Sequence, residues 1–150
     1  MDLSGYEIGH DFRNPDQVAA IVSDLTGEYV LLVWNHDREG NWQLGFPGGR
    51  GALKENRRNP RLAAMKELGW ETGGVEIEVE EFETCEDKTA GTGKTAYYHG
   101  MMDRQVTLPL KKPGARPPEW HKRRELLSSQ QLPYEQGKAL TDFNQFMDRK

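Results

Sequence analysis

Glu67 and Glu71 are four residues apart in a segment that carries the signals of a helix. Asn59 can cap its N-terminus, Pro60 suits its first position, and two glycines can end it, so we predict a helix over about 60–72. Residues four apart lie on one face of a helix, so the two carboxylates share a face. Such a pair can supply oxygen ligands to a hard cation such as Mg²⁺, although two solvated helix carboxylates would show the same spacing.

The segment before this helix, WQLGFPGGRG, concentrates Pro47, Gly48, Gly49 and Gly51 within a few residues. Proline removes a backbone donor and glycine adopts backbone angles that other residues avoid. We therefore predict a loop that breaks regular structure and has unusual backbone requirements. A glycine-rich loop would then lead into a helix that bears spaced carboxylates.

Together, residues 48–74 resemble the Nudix box, the family pattern G-x5-E-x7-R-E-U-x-E-E-x-G-U, in which U is a bulky aliphatic residue. Gly49 and Glu55 match the first two defined positions. Lys66 stands at the Arg position, and four further residues match the family's C-terminal pattern: Glu67, Leu68, Glu71 and Gly73. The upstream residues WQLGFPGG are similar to the W-x-x-P-G-G sequence that usually precedes the box.

The resemblance implies an α/β fold, the Nudix-type α/β/α sandwich with a mixed β-sheet, in a single domain over residues 1–150. It also implies attack of water on a diphosphate phosphorus, assisted by Mg²⁺ or Mn²⁺. The expected substrate is a small nucleotide, a nucleoside diphosphate linked to another group, such as a nucleotide sugar, ADP-ribose, a dinucleotide or a nucleoside triphosphate. The alternative is a catalytically impaired Nudix-fold module that binds a nucleotide or a protein partner.

The resemblance also assigns roles to individual residues. Metal binding falls to one backbone carbonyl and three carboxylates: Gly49, Glu55, Glu67 and Glu71. Glu67 and Glu71 are the candidate catalytic residues, with Glu67 either a metal ligand or the general base. Beyond what the resemblance assigns, three neighbouring side chains are expected to contact the substrate: Arg50, Lys66 and Trp70.

Three departures from the family pattern leave alternatives open. Ten residues rather than seven separate Glu55 from Lys66, Trp70 replaces the penultimate Glu, and Gly74 replaces the final aliphatic residue. The insertion either loops out, so that Glu55 reaches the metal, or carries Glu55 into solvent. In the second case Arg58 occupies the position of the family's Glu when residues are counted backward from the helix. Because Trp70 replaces a carboxylate, we expect fewer bound metal ions or a lower affinity for them. The Trp70 ring either packs against the protein or faces a base or sugar of the substrate. A downstream carboxylate, Glu86 or Glu119, is an alternative base.

The remaining chain predicts the elements that must position these groups. Residues 17–24 and 28–35 have the β-rich composition of two strands joined by a tight turn, and 75–87 and 94–103 suggest a hairpin. Residues 107–118 contain four prolines and several basic residues, which predicts a long irregular segment with no assigned role. Apolar residues at helical spacing predict a C-terminal packing helix: Leu140, Phe143 and Met147.

Length and charge exclude several classes of protein. The chain has 150 residues, the usual size of one domain, with 35% hydrophobic and 29% charged residues. Twenty Lys and Arg against 24 Asp and Glu give a net charge of −4 with no long one-sign block, so no nucleic-acid polymer is expected as a partner. No apolar run predicts a membrane span or a signal peptide, so we expect a cytoplasmic protein, for which a homodimer is one compatible assembly.

Several other residues have a structural interpretation that we prefer. Residues 91–95, GTGKT, resemble the end of a P-loop, but Lys88 stands where the pattern needs Gly, and the following residues predict a strand. A hairpin turn is therefore expected there. The lone Cys85 cannot form an internal disulfide and is expected to be half-buried in a strand. Three tryptophans could stack on a base but are expected to be structural: Trp34, Trp42 and Trp120.

Overall fold

The computed structural model describes residues 15–37, 39–82, 95–126, 132 and 134–149. Within these ranges the chain forms seven strands: β1 (Gln17–Ser23), β2 (Tyr29–His36), β3 (Trp42–Gly45), β4 (Gly48–Gly49), β5 (Glu80–Phe82), β6 (Thr95–Met101) and β7 (Glu119–Lys122). It also forms four helices: α1 (Gly51–Glu55), α2 (Pro60–Glu71), α3 (Arg123–Leu126) and α4 (Tyr134–Asp148). No helix in the described ranges has the length and hydropathy of a membrane-spanning segment.

The strands form one mixed sheet in the order β3-β2-β1-β6-β5, with β4 paired to β1 and β7 paired to β2. The β1–β6 pair is parallel, and the other pairs are antiparallel. Strands β1 and β2 are joined by the predicted tight turn, but they pair at Ser23 and Val30 and then separate. Short strands fill the gap between them, because β4 pairs with β1 at Val18 and Ala19 while β7 pairs with β2.

Both faces of the sheet are covered by helices, as an α/β/α sandwich requires. Along β1, Ile21 belongs to a buried cluster with Phe143 of α4, whereas Val18 belongs to a cluster with Ala64 of α2. This alternation follows from the two-residue period of a strand, in which neighbouring side chains point to opposite faces. A third cluster joins β1 and β2 to Leu68 of α2. The almost continuous apolar sequence of β1 is therefore explained by burial on both sides.

The predicted α2 helix is confirmed, and its ends have the expected causes. The side chain of Asn59 accepts a hydrogen bond from the backbone N–H of Leu62 at 3.1 Å, and Pro60 occupies the first turn. At the other end, Gly73 has a φ of 73°, a left-handed conformation that favours glycine. The backbone N–H of Gly74 then bonds to the carbonyl of Gly69 at 2.7 Å, which closes the last turn.

The prediction that residues 42–51 lack regular structure was wrong, because this segment contains β3, β4 and the start of α1. Close approach to β1 explains why glycine occupies β4. A Cβ atom on Gly48 would lie 2.3 Å from the carbonyl oxygen of Val18, so a larger residue would force the strands apart. Pairing with a distant strand therefore overrides the local signal of Pro and Gly.

The later predictions were confirmed in part. Strands β5 and β6 pair antiparallel as expected for the hairpin, although β5 begins at Glu80 rather than near residue 75. Thr95 begins a strand and not the helix that a P-loop requires. The rest of the GTGKT segment, together with Cys85 and Glu86, lies outside the described residues. The C-terminal helix is present, with Leu140 and Phe143 fully buried, whereas β7 and α3 were not predicted.

Candidate active site

Glu67 is a buried carboxylate that holds the N-terminus of a neighbouring helix. Its side chain lies on α2 and leaves only 5% of the residue exposed. Oε2 of Glu67 accepts a hydrogen bond from the backbone N–H of Ala52, in the first turn of α1, at 2.9 Å. Burial raises the pKa of Glu67, and the negative charge of Glu71 acts in the same direction, against hydrogen bonds from the Ala52 and Gly51 backbone. The site therefore holds two carboxylates that interact electrostatically.

Gly49 brings the backbone of β4 directly against this carboxylate. A Cβ atom on Gly49 would lie 2.9 Å from Oε1 of Glu67, and one on Gly51 would lie 3.5 Å from its Oε2. The chain can pass this close to Glu67 because neither position bears a side chain. The structure thus brings together two of the predicted metal ligands, Gly49 and Glu67.

Glu71 faces the same region of the fold but is paired with a lysine. Its Oε1 lies 2.7 Å from Nζ of Lys111, and its Oε2 accepts a longer bond from Nδ2 of Asn35 at 3.4 Å. Lys111 also donates to Oδ1 of Asn35 at 3.2 Å. The three side chains form a closed triangle in which Glu71 is 12% and Lys111 is 25% exposed.

Asn35 and Lys111 were not identified from the sequence. Asn35 lies near the end of β2, four residues after Leu31, so the two side chains point to the same face of the sheet. Leu31 belongs to the same buried cluster as Leu68 of α2. A polar residue on the buried face of a strand is the one signal that could have indicated it. Lys111 lies in the irregular segment 107–118, where no local pattern relates a residue to α2.

A small polar cavity opens among β1, β3, β4, β6 and α4; neither Glu67 nor Glu71 lines it, and most of its apolar lining belongs to the cluster that packs against α4. It has a volume of about 140 Å³, and Gly49 and Asn35, the neighbours of Glu67 and Glu71, both line it. Most of its other polar lining is uncharged, from three glutamines and a threonine: Gln17, Gln43, Gln136 and Thr95. Three of these are fixed by hydrogen bonds, since Gln17 donates to Thr95 at 2.8 Å and Gln136 accepts from the Phe46 backbone at 2.9 Å.

The remaining candidate residues are more exposed. Glu55 is exposed at the last position of α1, Arg50 is exposed just before α1, and Lys66 is half-buried on α2. In the part of the chain that the structure describes, no three His, Cys, Asp or Glu side chains cluster as a metal site. The structure therefore does not bring Glu55 together with Glu67 and Glu71.

Trp70 lies at the rim of the same region. It is 53% exposed, and its ring lies 3.3 Å from the position of a Cβ atom on Gly51. Trp34 and Trp42 are less exposed, with Trp42 at 36%, and the guanidinium of Arg116 lies 4.7 Å from both ring centroids. Trp70 is thus the tryptophan that offers its ring to solvent beside Glu67.

The side chain of Glu119 lies on the face of the sheet opposite to Glu67 and Glu71, where it is held by hydrogen bonds. Glu119 pairs with Leu32, whose side chain belongs to the cluster that packs against α4. Its carboxylate accepts hydrogen bonds from Nε1 of Trp34 at 2.9 Å and from the His121 ring at 2.8 Å. Burial alone would raise the pKa of Glu119, but these bonds and the nearby positive charges lower it. This placement argues against the alternative in which Glu119 is the general base.

Comparison with solved structures identifies the fold. The Nudix domain of Shewanella oneidensis NrtR, solved with ADP ribose, is 19% identical, with 98% of this chain and 99% of that chain covered at a TM-score of 0.66. A C. elegans Ap4A hydrolase, solved as a binary complex, is 16% identical, with 91% and 99% covered at 0.62. The C-terminal domain of mouse MUTYH, solved with human PCNA, is 16% identical, with 89% of each chain covered at 0.59.

No protein-family model matches the chain, and no curated protein matches it in sequence. The structural similarity extends over almost the whole chain and includes both helix layers and the mixed sheet. The chain therefore has the Nudix fold, as the resemblance of residues 48–74 to the Nudix box implied. Fold alone does not assign an activity, because function depends on the residues of the site.

Proposed function

We propose that this protein is a metal-dependent hydrolase that cleaves the diphosphate of a nucleoside diphosphate linked to another group. The observation that carries the proposal is the position of Glu67 and Glu71 on one face of α2, next to Gly49 and Asn35 respectively, two residues that also line a small polar cavity. Two interacting carboxylates are a recurring arrangement for metal-assisted hydrolysis. The Nudix fold supports this reaction class.

The donor atoms present fit one hard divalent cation such as Mg²⁺ or Mn²⁺. Glu67, Glu71 and the carbonyl of Gly49 would hold it, and such ions commonly combine one or two carboxylates with waters and phosphate oxygens. Glu71 is already paired with one cation in this structure, the ammonium group of Lys111. When bound, the ion would neutralise phosphate charge and make a bound water more acidic. Glu55 remains a candidate ligand that would have to move toward the pair.

Side chains of the site would accept the proton and bind the substrate. Glu67 is oriented by the Ala52 N–H, and its raised pKa makes it a better proton acceptor than an ordinary carboxylate, so it serves as ligand or general base. Arg50 and Lys66 supply positive charge for the phosphates, and the exposed ring of Trp70 offers a flat surface to a base or sugar.

The cavity favours a polar, uncharged part of the substrate. Its volume of about 140 Å³ is below the roughly 300 Å³ of a typical pocket for a whole small-molecule ligand, so it would hold one moiety. Amide side chains offer both donors and acceptors, which suits the hydrogen-bonding edge of a base or the hydroxyls of a sugar. The phosphates would then lie toward Glu67 and Glu71.

The test is phosphate release from nucleoside triphosphates, nucleotide sugars, ADP-ribose and dinucleotides with Mg²⁺ or Mn²⁺, coupled to a phosphatase that detects nucleoside monophosphates. We expect turnover with at least one substrate and its loss in Glu67→Gln, in Glu71→Gln and on addition of EDTA. Glu81→Gln, at an exposed carboxylate of β5, is the matched control and should retain activity. Full activity in Glu71→Gln would remove Glu71 from the site.

The second candidate is a binding module that has lost turnover. It is favoured by the ion pair between Lys111 and Glu71, which neutralises one of the two carboxylates, and by the tryptophan that replaces a third. This function predicts no product across the panel but an increase in melting temperature with one of the nucleotides. The same samples therefore separate the two functions.

A further inference from the structure

Residues 107–118, here called the strap, are attached to the site at three points. The backbone carbonyl of Pro109 lies 2.5 Å from the position of a Cβ atom on Gly73, at the end of α2. Lys111 binds Glu71 and Asn35, and the guanidinium of Arg116 lies over Trp34 and Trp42. Asn35 and Trp34 are adjacent in β2 and point to opposite faces, so the strap contacts the end of β2 on both faces of the sheet.

The central attachment places a positive charge directly on Glu71. Lys111 and Glu71 are both largely removed from solvent, so their attraction is screened less than that of a surface pair. Asn35 joins both partners, and it orients the ammonium group and the carboxylate toward each other. Neither oxygen of Glu71 is left without a hydrogen-bond donor in this arrangement.

We propose that Lys111 and a divalent cation compete for the carboxylate of Glu71, so that the strap must release Lys111 before the site takes up metal. The inference rests on the proposed metal-dependent function. A cation bound at Glu71 would repel an ammonium group only 2.7 Å from the same oxygen, so both cannot occupy it together. Once released, Lys111 carries its charge on a flexible stem toward phosphate oxygens of an incoming nucleotide.

This competition links metal binding to the nucleotide. A phosphate that pairs with Lys111 removes the competitor from Glu71, and metal binding frees Lys111 for the phosphate. Each ligand therefore increases the affinity of the other, as reciprocal coupling requires. The strap, which had no assigned role from its sequence, becomes the segment that holds this counter-ion in place.

The first experiment is a titration of the full chain with Mn²⁺ in the absence of nucleotide, with free Mn²⁺ measured by electron paramagnetic resonance. Removing the competing charge in Lys111→Gln should tighten Mn²⁺ binding by roughly tenfold or more. Lys112→Gln is the matched control, because the adjacent exposed lysine makes the same change in net charge. Its affinity should stay close to that of the wild type.

Every outcome of this titration decides the proposal. Binding that is unchanged or weaker in Lys111→Gln would overturn it, as would an equal gain in Lys112→Gln. Binding by Lys111→Gln alone would support it, and absence of binding in all three proteins would refute the competition. Metal-dependent turnover by the wild type, measured separately, would show that the proposed function stands even where the competition fails.

A second experiment follows the lysine itself and needs neither turnover nor a variant that alters the strap. The rate of acetylation of Lys111 by an amine-reactive ester, measured by mass spectrometry, should increase several-fold when Mn²⁺ is added. Lys112, in the same peptide region, should be modified at a constant rate. Glu71→Gln should give rapid modification of Lys111 without metal. Equal rates for Lys111 in all conditions would contradict its release.

Discussion

Oε2 of Glu67 accepts a hydrogen bond from the backbone N–H of Ala52 at 2.9 Å, so a carboxylate on one helix satisfies a donor at the start of another. Both groups are buried. Glu67 therefore has a structural contact in addition to its proposed chemistry. The two contributions can be separated because they require different properties of the side chain.

Replacing Glu67 should separate stability from catalysis. Glu67→Gln retains a carbonyl oxygen that can accept from Ala52, so we expect a small change in the free energy of unfolding and loss of turnover. Glu67→Ala leaves the buried Ala52 N–H without that partner, which should cost about 1–3 kcal/mol. Chemical denaturation of both variants measures the difference, and equal stabilities would show that the contact with Ala52 contributes little.

Gly49→Ala should disturb the site because the new Cβ atom would lie 2.9 Å from Oε1 of Glu67. We expect loss of turnover together with reduced stability. Gly137→Ala is the control in α4, where a Cβ atom meets nothing within 4 Å. Alanine lowers the cost of ordering a helix, so this variant should be more stable by roughly 0.5–1 kcal/mol and fully active. Normal turnover in Gly49→Ala would show that the carboxylate can move without consequence.

Trp70→Glu should tighten metal binding. The ring of Trp70 and Oε2 of Glu67 both lie beside the backbone of Gly51, so a carboxylate at position 70 would add an oxygen ligand near Glu67. A Mn²⁺ titration compares this variant with Trp70→Gln, which has a similar length but no charge. Equal affinities in the two variants would assign Trp70 to substrate contact or to packing.

The stability of the protein should depend on Asp24 in acid. Burial alone would raise the pKa of Asp24, but hydrogen bonds from the Tyr29 backbone, Thr26 and Arg104 together lower it below its ordinary value of 3.8. A lowered pKa means that the stabilisation is complete above pH 3.8 and is lost as the pH falls through the lower folded value.

Denaturation of the wild type and Asp24→Asn across this pH range tests the assignment. The difference in their free energies of unfolding should be largest near neutral pH and should shrink in acid as Asp24 becomes protonated. Asp103→Asn, at an exposed aspartate, controls for the loss of one negative charge. A difference for Asp24→Asn that does not change with pH would exclude this carboxylate as a source of acid sensitivity.

Short-range patterns in the sequence determined α2, its two ends, the strands β1 and β2, and the resemblance of residues 48–74 to the Nudix box. These features depend on residues within a few positions of one another, such as Asn59 with Pro60 or Glu67 with Glu71. Only the tertiary structure decided that Glu67 is buried against Ala52, that Lys111 neutralises Glu71, and that Glu119 lies on the opposite face. Those contacts join residues far apart in the chain, and their energies depend on burial and on pairing between distant strands, which no local pattern specifies.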